Sequence, residues 1–410
     1  MQPIRFIHAA GFRLDSPYSG LRDPSAAVDE RLRAAPFEAF RNLQALCEAE
    51  APDFLLIAGG VFELADRSIH AQLAFRDGLA AIVGAGVPVY LAHGPTDPAA
   101  AWLPTIDWPE GVHVMGGRPD WYPIVRDGET IALLQGASQL SGTLHGPSAA
   151  EFETSSDGDV FTVGLVGQIT AANDDEPDPL DSLPVLHYWA LGPEQDGALQ
   201  SDPSRRIVTT GPTQALSPAE SGPHGCYVVK CDEAGRAGPD FVALDSVRWD
   251  SVTVDISNLT PDELIPIARR AALDALAGSD GRDLVCRLAL TGNAPADFPD
   301  IDHLLKGLRD SVHFDRPWVW IDRIENLTTT TLDPPAPGST PLLTALHTRF
   351  ASLAEDSAPR ELVSSVSSGM PSGPLNADAD DDDPGEMARL LRDARDIAVQ
   401  RLSPGRSGRS

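Results

Sequence analysis

Along the first 115 residues, short apolar runs alternate with stretches whose apolar positions recur at helical spacing. Residues 4–8 form one such run and predict a buried strand. Phe37, Phe40, Leu43, Leu46 and Cys47 repeat with the period of an amphipathic helix. Phe54–Ala58 runs into Gly59-Gly60, the pattern of a buried strand feeding a loop. Ser68 opens a second predicted helix reaching about Val83, and residues 87–93 make the next strand. This alternation predicts an α/β sheet with parallel neighbours. In such sheets the loops after the carboxyl ends of the strands carry the ligand site. Here those loops are 9–13, 59–63 and 94–98.

From about Val112 to Trp249 the pattern turns strand-rich, with candidates at 131–134, 161–166, 188–191, 207–210, 226–230 and 241–247. A second sheet packed on the first is the simplest arrangement. A smaller β-α-β-α-β unit follows, with strands at 252–256, 284–290 and 319–324 and a helix at 301–308. Its first helix opens at Thr260-Pro261-Asp262-Glu263, with capping-box spacing and proline at the first helical position. The expected organisation is a body at 1–250, an α/β unit at 251–331 and a Pro-rich linker at 332–341. A partly disordered region at 342–410 completes it, with helices near 342–354 and 386–402. The latter helix would dock on its own domain or on a partner.

Composition narrows the function. With 60 acidic residues against 31 basic ones the formal charge is −29, and only Lys230 and Lys306 are lysine. Affinity for a nucleic-acid backbone comes largely from cationic side chains, so a generic nucleic-acid binder is disfavoured. Between 127 and 204 there are 14 carboxylates and no lysine or arginine. No apolar stretch is long enough for a membrane span, and the first residues lack the features of a secretory leader. Cys47, Cys226, Cys231 and Cys286 show no metal-binding spacing and read as reduced core thiols. A cytoplasmic address is expected.

Several stretches together carry a resemblance. They are Ile7-His-Ala-Ala-Gly-Phe-Arg-Leu-Asp-Ser-Pro17, Leu56-Ile-Ala-Gly-Gly-Val-Phe-Glu63, Ala71-Gln-Leu-Ala-Phe-Arg-Asp-Gly78, His93-Gly-Pro-Thr-Asp-Pro98, Tyr188-Trp-Ala-Leu-Gly192 and Gly222-Pro-His-Gly-Cys226. In this order they resemble the calcineurin-like metallophosphoesterases, in particular the DNA-repair exonuclease branch of SbcD and YhaO type. The likeness runs over about residues 1–330. It implies a four-layer α/β/β/α sandwich, with a small α/β capping domain and C-terminal helices. It also implies two manganese ions held by Asp-x-His, Asp, Asn-His-Asp, His and His-x-His in five successive loops, and an SMC-like coiled-coil ATPase as partner. Such an ion pair activates water and clamps a phosphodiester. The ligands it requires are carboxylate oxygen and imidazole nitrogen.

At the positions matching those ligands this sequence has Gly11 and Arg13, Gly60, Pro95 and Thr96, Gly167, and Pro193 and Gln195. Glycine and proline offer no side-chain donor, and Arg13 would repel a dication. No metal and no other cofactor is therefore expected. His8, Asp15, Glu63, His93 and Asp97 remain nearby. By resemblance Asp97 matches the carboxylate that orients the catalytic histidine, which is absent here. An Arg13 ion pair with Asp97 or Glu63 is the expected structural role. The alternatives are a phosphate held by Arg13 and a one-metal site from His8, His93, Asp97 and Glu63. His70, His145, His187 and His347 are isolated. A DNA-binding stripe would have to come from Arg269, Arg270, Arg282, Arg287 and Arg309.

The expected function is a catalytically inactive homologue of a metal-dependent exonuclease. It would serve as a scaffold or partner-binding subunit, with an SMC-like ATPase or as a homodimer, and with weak or no nucleic-acid binding. The alternative is a residual metal-dependent phosphodiesterase working through a non-standard site.

Overall fold

The computed structural model describes residues 1–328 apart from 22, 66–67, 142–145, 156–157, 170–178, 194–198, 203–204, 295–297 and 313–315, together with Ala345. The expected linker at 332–341, the helices near 342–354 and 386–402, His145 and Gln195 lie outside the described residues. The chain opens with β1 (Ile4–Ala9), α1 (Ala26–Glu50), β2 (Phe54–Ala58), α2 (Ile69–Gly84), β3 (Val89–Ala92) and β4 (Val112–Val114). Then come β5 (Asp120–Arg126), β6 (Glu129–Ala137), β7 (Phe161–Val166), β8 (Tyr188–Pro193), β9 (Leu199–Asp202) and β10 (Arg205–Thr210). The remaining elements are β11 (Gly225–Cys231), β12 (Ala237–Ala243), β13 (Val247–Asp255), α3 (Pro261–Ala277), β14 (Asp283–Thr291), α4 (Ile301–Ser311) and β15 (Val319–Asn326).

Three sheets form, in the orders β12-β11-β1-β2-β3-β4, β5-β6-β7-β8-β10-β9 and β13-β14-β15. β1, β2, β3 and β4 are parallel, as are β6, β7, β8 and β10. Their near-continuous apolar sequences follow from burial on both faces. Ile7, Ala9, Leu55 and Ile57 face α1 and α2. Phe6, Phe54, Leu56 and Ala58 face the second sheet, where Phe6 stacks on Phe54 at 4.8 Å and meets Tyr188 edge-on at 5.1 Å. The outer face of the second sheet is covered, among the described residues, by the 3-10 turns Ala149–Glu151 and Pro179–Ser182 with Phe152, Leu183 and Leu186 against Trp189. All four cysteines are free and buried.

The helix starts follow the expected chemistry. Ser25 and Ser68 accept from the amides of Val28 and Ala71. Glu263 accepts from Thr260 N at 2.9 Å and Thr260 Oγ1 at 2.8 Å. One predicted strand is wrong: residues 241–247 are not continuous. β12 ends at Ala243, both Leu244 N and Asp245 N donate to His224 O, and β13 begins at Val247. Asp245, fully buried, ties this corner to Arg248 and Arg282 at 3.0 and 2.8 Å. β5 escaped the pattern because Pro123 and its mixed polarity suit an edge strand.

Contacts divide the chain into two units. The first holds Met1–Val252, Arg269–Leu288 and Leu305–Arg323; the second holds Thr253–Ala268, Ala289–Leu304 and the residues from Ile324 on. Within the first unit, Val28, Leu32 and Ala35 of α1 pack against Trp249, Val285, Trp318 and Trp320 of the third sheet. Arg31 adds a buried ion pair to Asp283 at 2.6 Å.

Candidate functional site

The loops after β1, β2, β3 and β7 and the last residues of β8 meet at the carboxyl ends of the parallel strands, where the sequence places the ligand positions. The ladder of β1 and β2 continues into these loops: Gly11 N, Arg13 N and Leu14 N donate to Gly59 O, Gly60 O and Val61 O at 3.0, 2.9 and 2.8 Å. Thr213 N closes a further strap onto Gly11 O at 3.1 Å.

Backbones approach here to distances that only glycine allows. A Cβ built on Gly60 would stand 2.9 Å from Gly11 Cα, and one on Gly11 would stand 2.8 Å from Pro193 Cβ and 2.9 Å from Pro212 Cα. A Cβ on Gly167 would meet Gly94 Cα at 2.6 Å, and one on Gly192 would meet Gly167 O at 1.8 Å. Gly11 and Gly60 also hold φ values of +66° and +73°, a region that other L-residues rarely enter. Sequence reasoning found Gly11, Gly60 and Gly167 but missed Gly59, Gly94 and Gly192. A glycine at the end of each of these parallel strands was the available signal.

Asp97 is fully buried and binds the loops together. Its Oδ1 accepts from Gly60 N at 2.8 Å and Gly94 N at 3.0 Å, and its Oδ2 from Val61 N at 3.2 Å. Burial pushes its pKa up to about 7, while these backbone N–H groups pull the other way. It is therefore not free to meet Arg13. His8 is equally committed. The Leu191 carbonyl can only accept, so Nε2–H donates to it at 3.0 Å, and Nδ1 takes the Tyr188 hydroxyl proton at 3.1 Å. Burial lowers the His8 pKa to about 3, although the Leu191 contact raises it, and lowers that of His93 to about 4. His93 lies against Trp102 with a buried Nδ1 that has no hydrogen-bond partner among the described residues.

Arg13 departs from expectation. Its guanidinium forms a bidentate pair with Glu220, at 2.7 and 2.8 Å, and reaches Gln214 O at 2.9 Å. Neither Asp97 nor Glu63 is its partner: the Asp97 oxygens are taken by backbone amides, and the strap carrying Glu220 lies over the first loop. Burial of Glu220 opposes its charge, but the Arg13 contacts outweigh this and hold its carboxyl below the ordinary value. With its charge neutralised in this way, Arg13 is poorly placed to hold a phosphate. Asp15 faces outward to Ser68 and His70. Pro95 and Pro193 are exposed, Thr96 and Glu63 half-buried.

The residues present do not fit a pair of manganese ions. At Gly11, Gly60 and Gly167 the positions that should offer oxygen and nitrogen donors carry none, and an added Cβ would run into neighbouring backbone. His8 and Asp97 already spend their donors and acceptors inside the protein. Among the described residues, no group of three or more His, Cys, Asp or Glu side chains could hold a metal ion. The arginine stripe is not assembled either. Arg270 pairs with Asp274, Arg282 with Asp245, and Arg287 with Asp322, while Arg309 donates to Ile321 O and Asp322 O. Among the described residues no helix is long and apolar enough to cross a membrane.

Residues 249–329 match the family model of the YhaO metallophosphoesterase middle domain. The chain is 28% identical over 353 residues to the uncharacterized metallophosphoesterase YhaO of Bacillus subtilis (strain 168), covering 81% of this chain and 85% of that protein. The crystal structure of the protein TT1561 of Thermus thermophilus aligns at 12% identity with a TM-score of 0.31, over 58% of this chain and 99% of that one. That likeness is too slight to add anything.

Proposed function

The chain belongs to the YhaO metallophosphoesterase family of the calcineurin-like superfamily, and on that premise we propose that it is a catalytically silent member acting as a binding or scaffolding subunit. One observation carries the reading: the loops that should hold metal are closed on one another through glycine. Loss of ligands alone would leave a cleft that a substituted side chain could refill. Here the loops run so close at Gly11, Gly60 and Gly167 that an added Cβ would meet neighbouring backbone, and Asp97 fixes two of the loops by their amides. Metal-dependent hydrolysis needs both donors and space, and the described residues of these loops offer no group of three or more metal-binding side chains.

A scaffold role accords with an intact core around a closed site. By likeness to the exonuclease branch, the partner class is an SMC-like coiled-coil ATPase, engaged through residues 386–402. Nucleic acid is a poor guest for a chain of charge −29.

The test uses the full chain loaded with Mn²⁺ and freed of excess. Metal analysis is expected to find no stoichiometric Mn, Fe or Zn. Bis-p-nitrophenyl phosphate and single-stranded DNA are expected to turn over no faster than in buffer with Mn²⁺. Turnover abolished by EDTA would overturn the reading and favour a phosphodiesterase at a non-standard site. Deleting 386–402 is expected to abolish co-purification with a co-expressed SMC-like ATPase, and unchanged recovery would reject that partner.

A further inference from the structure

Arginines in this chain are generally matched by carboxylates: Arg5 with Glu50, Arg13 with Glu220, Arg126 with Asp53, and Arg31 with both Glu38 and Asp283. In one such cluster two arginines converge on a single carboxylate. At the β15 end of the third sheet, Arg287 Nε and Arg323 Nε both donate to Asp322 Oδ2, at 3.0 and 3.1 Å. Their Nη2 groups both donate to Gly20 O, at 2.9 and 2.8 Å. Two guanidiniums thus share one fully buried carboxylate and one carbonyl. Arg309 adds a third cation nearby. It stacks on Trp320 with its Cζ 4.2 Å from the ring centroid, and it reaches no carboxylate within ion-pair distance among the described residues.

The geometry of the pair decides what it can do. Each guanidinium spends Nε and Nη2 on the protein, so its orientation is fixed from two sides. Nη1 of both is without a hydrogen-bond partner among the described residues, and the side chains are 20% and 30% exposed. Two guanidiniums fixed on the same carboxylate and carbonyl and partly exposed, each with its Nη1 protons and one Nη2 proton left to donate, suit a tetrahedral dianion, which accepts on several oxygens. Pinning the side chains beforehand reduces the entropy lost on binding. If the pair only tied β14 to β15, one arginine would satisfy Asp322 without the repulsion of a second.

We propose that Arg287 and Arg323 form a binding site for a phosphate group, either free phosphate or a small phosphomonoester. The site does not depend on the proposed loss of hydrolysis, since it lies on different residues and needs no metal.

The test is calorimetric titration of the full chain with inorganic phosphate and with a nucleoside 5′-monophosphate, at constant ionic strength set by NaCl. Saturable binding is expected, weakened at least tenfold by R287Q and by R323Q and unchanged by R270Q on the surface of α3. R323K keeps the charge without the fork and is expected to bind more weakly than wild type. This variant keeps the test valid if a glutamine variant misfolds. Tighter binding of the monophosphate assigns the phosphate to an organic carrier, and equal binding assigns it to the free ion. No heat beyond the NaCl control, or equal affinity in R323K, R323Q and wild type, would overturn the site.

Discussion

The closed loop cluster and the seam between α1 and the third sheet are both buried, yet they are held by opposite means. In the cluster the adhesive is backbone: glycine against glycine, with one carboxylate collecting three amides. In the seam it is large side chains, three tryptophans and the Arg31–Asp283 pair. Each region should therefore fail in its own way, the cluster when atoms are added and the seam when they are removed. Close backbone approach in the cluster keeps the packing contacts that a cavity would forfeit.

The largest effect should come from adding one carbon to the cluster. In Gly192→Ala the new methyl would sit 1.8 Å from Gly167 O and 2.8 Å from Ala58 O, both backbone. The loss should exceed the roughly 1–3 kcal/mol usual for an overpacked core, read by urea unfolding or as failure to fold. Gly60→Asp restores the residue type of the family's second loop. It should destabilise at φ +73° and recruit no manganese. A stable Gly60→Asp protein carrying metal would show that the loops part easily, and the contrast would collapse.

Subtraction from the seam comes next. Arg31→Ala strands Asp283, only 3% exposed, which keeps the Trp318 amide at 3.1 Å and a long contact to Arg316. Breaking a buried pair from one side costs about 3–5 kcal/mol. The double variant R31M/D283N should recover part of that loss, because no uncompensated charge remains. Equal stability of the single and double variants would mean that the pair does not hold the seam.

How much of this was legible in the sequence differs between the two regions. The strands and helices of the first 115 residues follow from apolar spacing, and the missing ligands follow from residue identity alone. What a string of letters cannot show is that vacated positions close up, since Gly60 and Gly167 are equally compatible with an open cleft. Nor does it show that Asp97, deprived of a histidine to orient, serves backbone amides instead. The Arg13 partner lies 207 residues away, on a strap whose path depends on the whole second sheet. The break at 244–246 hides because the residues beside it, Phe241–Leu244 and Val247, are apolar, and the buried Asp245 is the polar mark of the corner.

Asp97→Asn tests the cluster more gently. An amide has one acceptor oxygen where the carboxylate has two, so one N–H of Gly60, Val61 or Gly94 loses its partner. Leaving a buried donor unsatisfied costs about 1–3 kcal/mol. The midpoint of urea unfolding should fall accordingly at pH 8, where Asp97 is ionised. An unchanged midpoint would mean that glycine contacts alone keep the loops closed.

The smallest effect is a slope. His8 and His93 are held neutral by burial, at about 3 and about 4, against about 6.5 in an unfolded chain. Their contribution to stability is complete above 6.5 and is lost progressively as the pH falls from there toward 4. Asp97 runs the other way. With a folded value of about 7 and an unfolded value near 3.8, its contribution is complete below 3.8 and declines as the pH rises toward 7. Between 4 and 6.5 two imidazoles oppose one carboxyl, and the surplus is about one proton. These three groups then make stability rise with pH by roughly 1.4 kcal/mol per unit, and His187 and His224, also lowered by burial, add to the rise in all three proteins compared. His8→Gln removes one imidazole and should flatten the rise, while Asp97→Asn removes the opposing group and should steepen it. Unfolding curves at pH 4.5, 5.5 and 6.5 separate the three proteins. If all three shared one slope, the protons would belong to groups outside the cluster, and its buried polar residues would be held by geometry without any cost in charge.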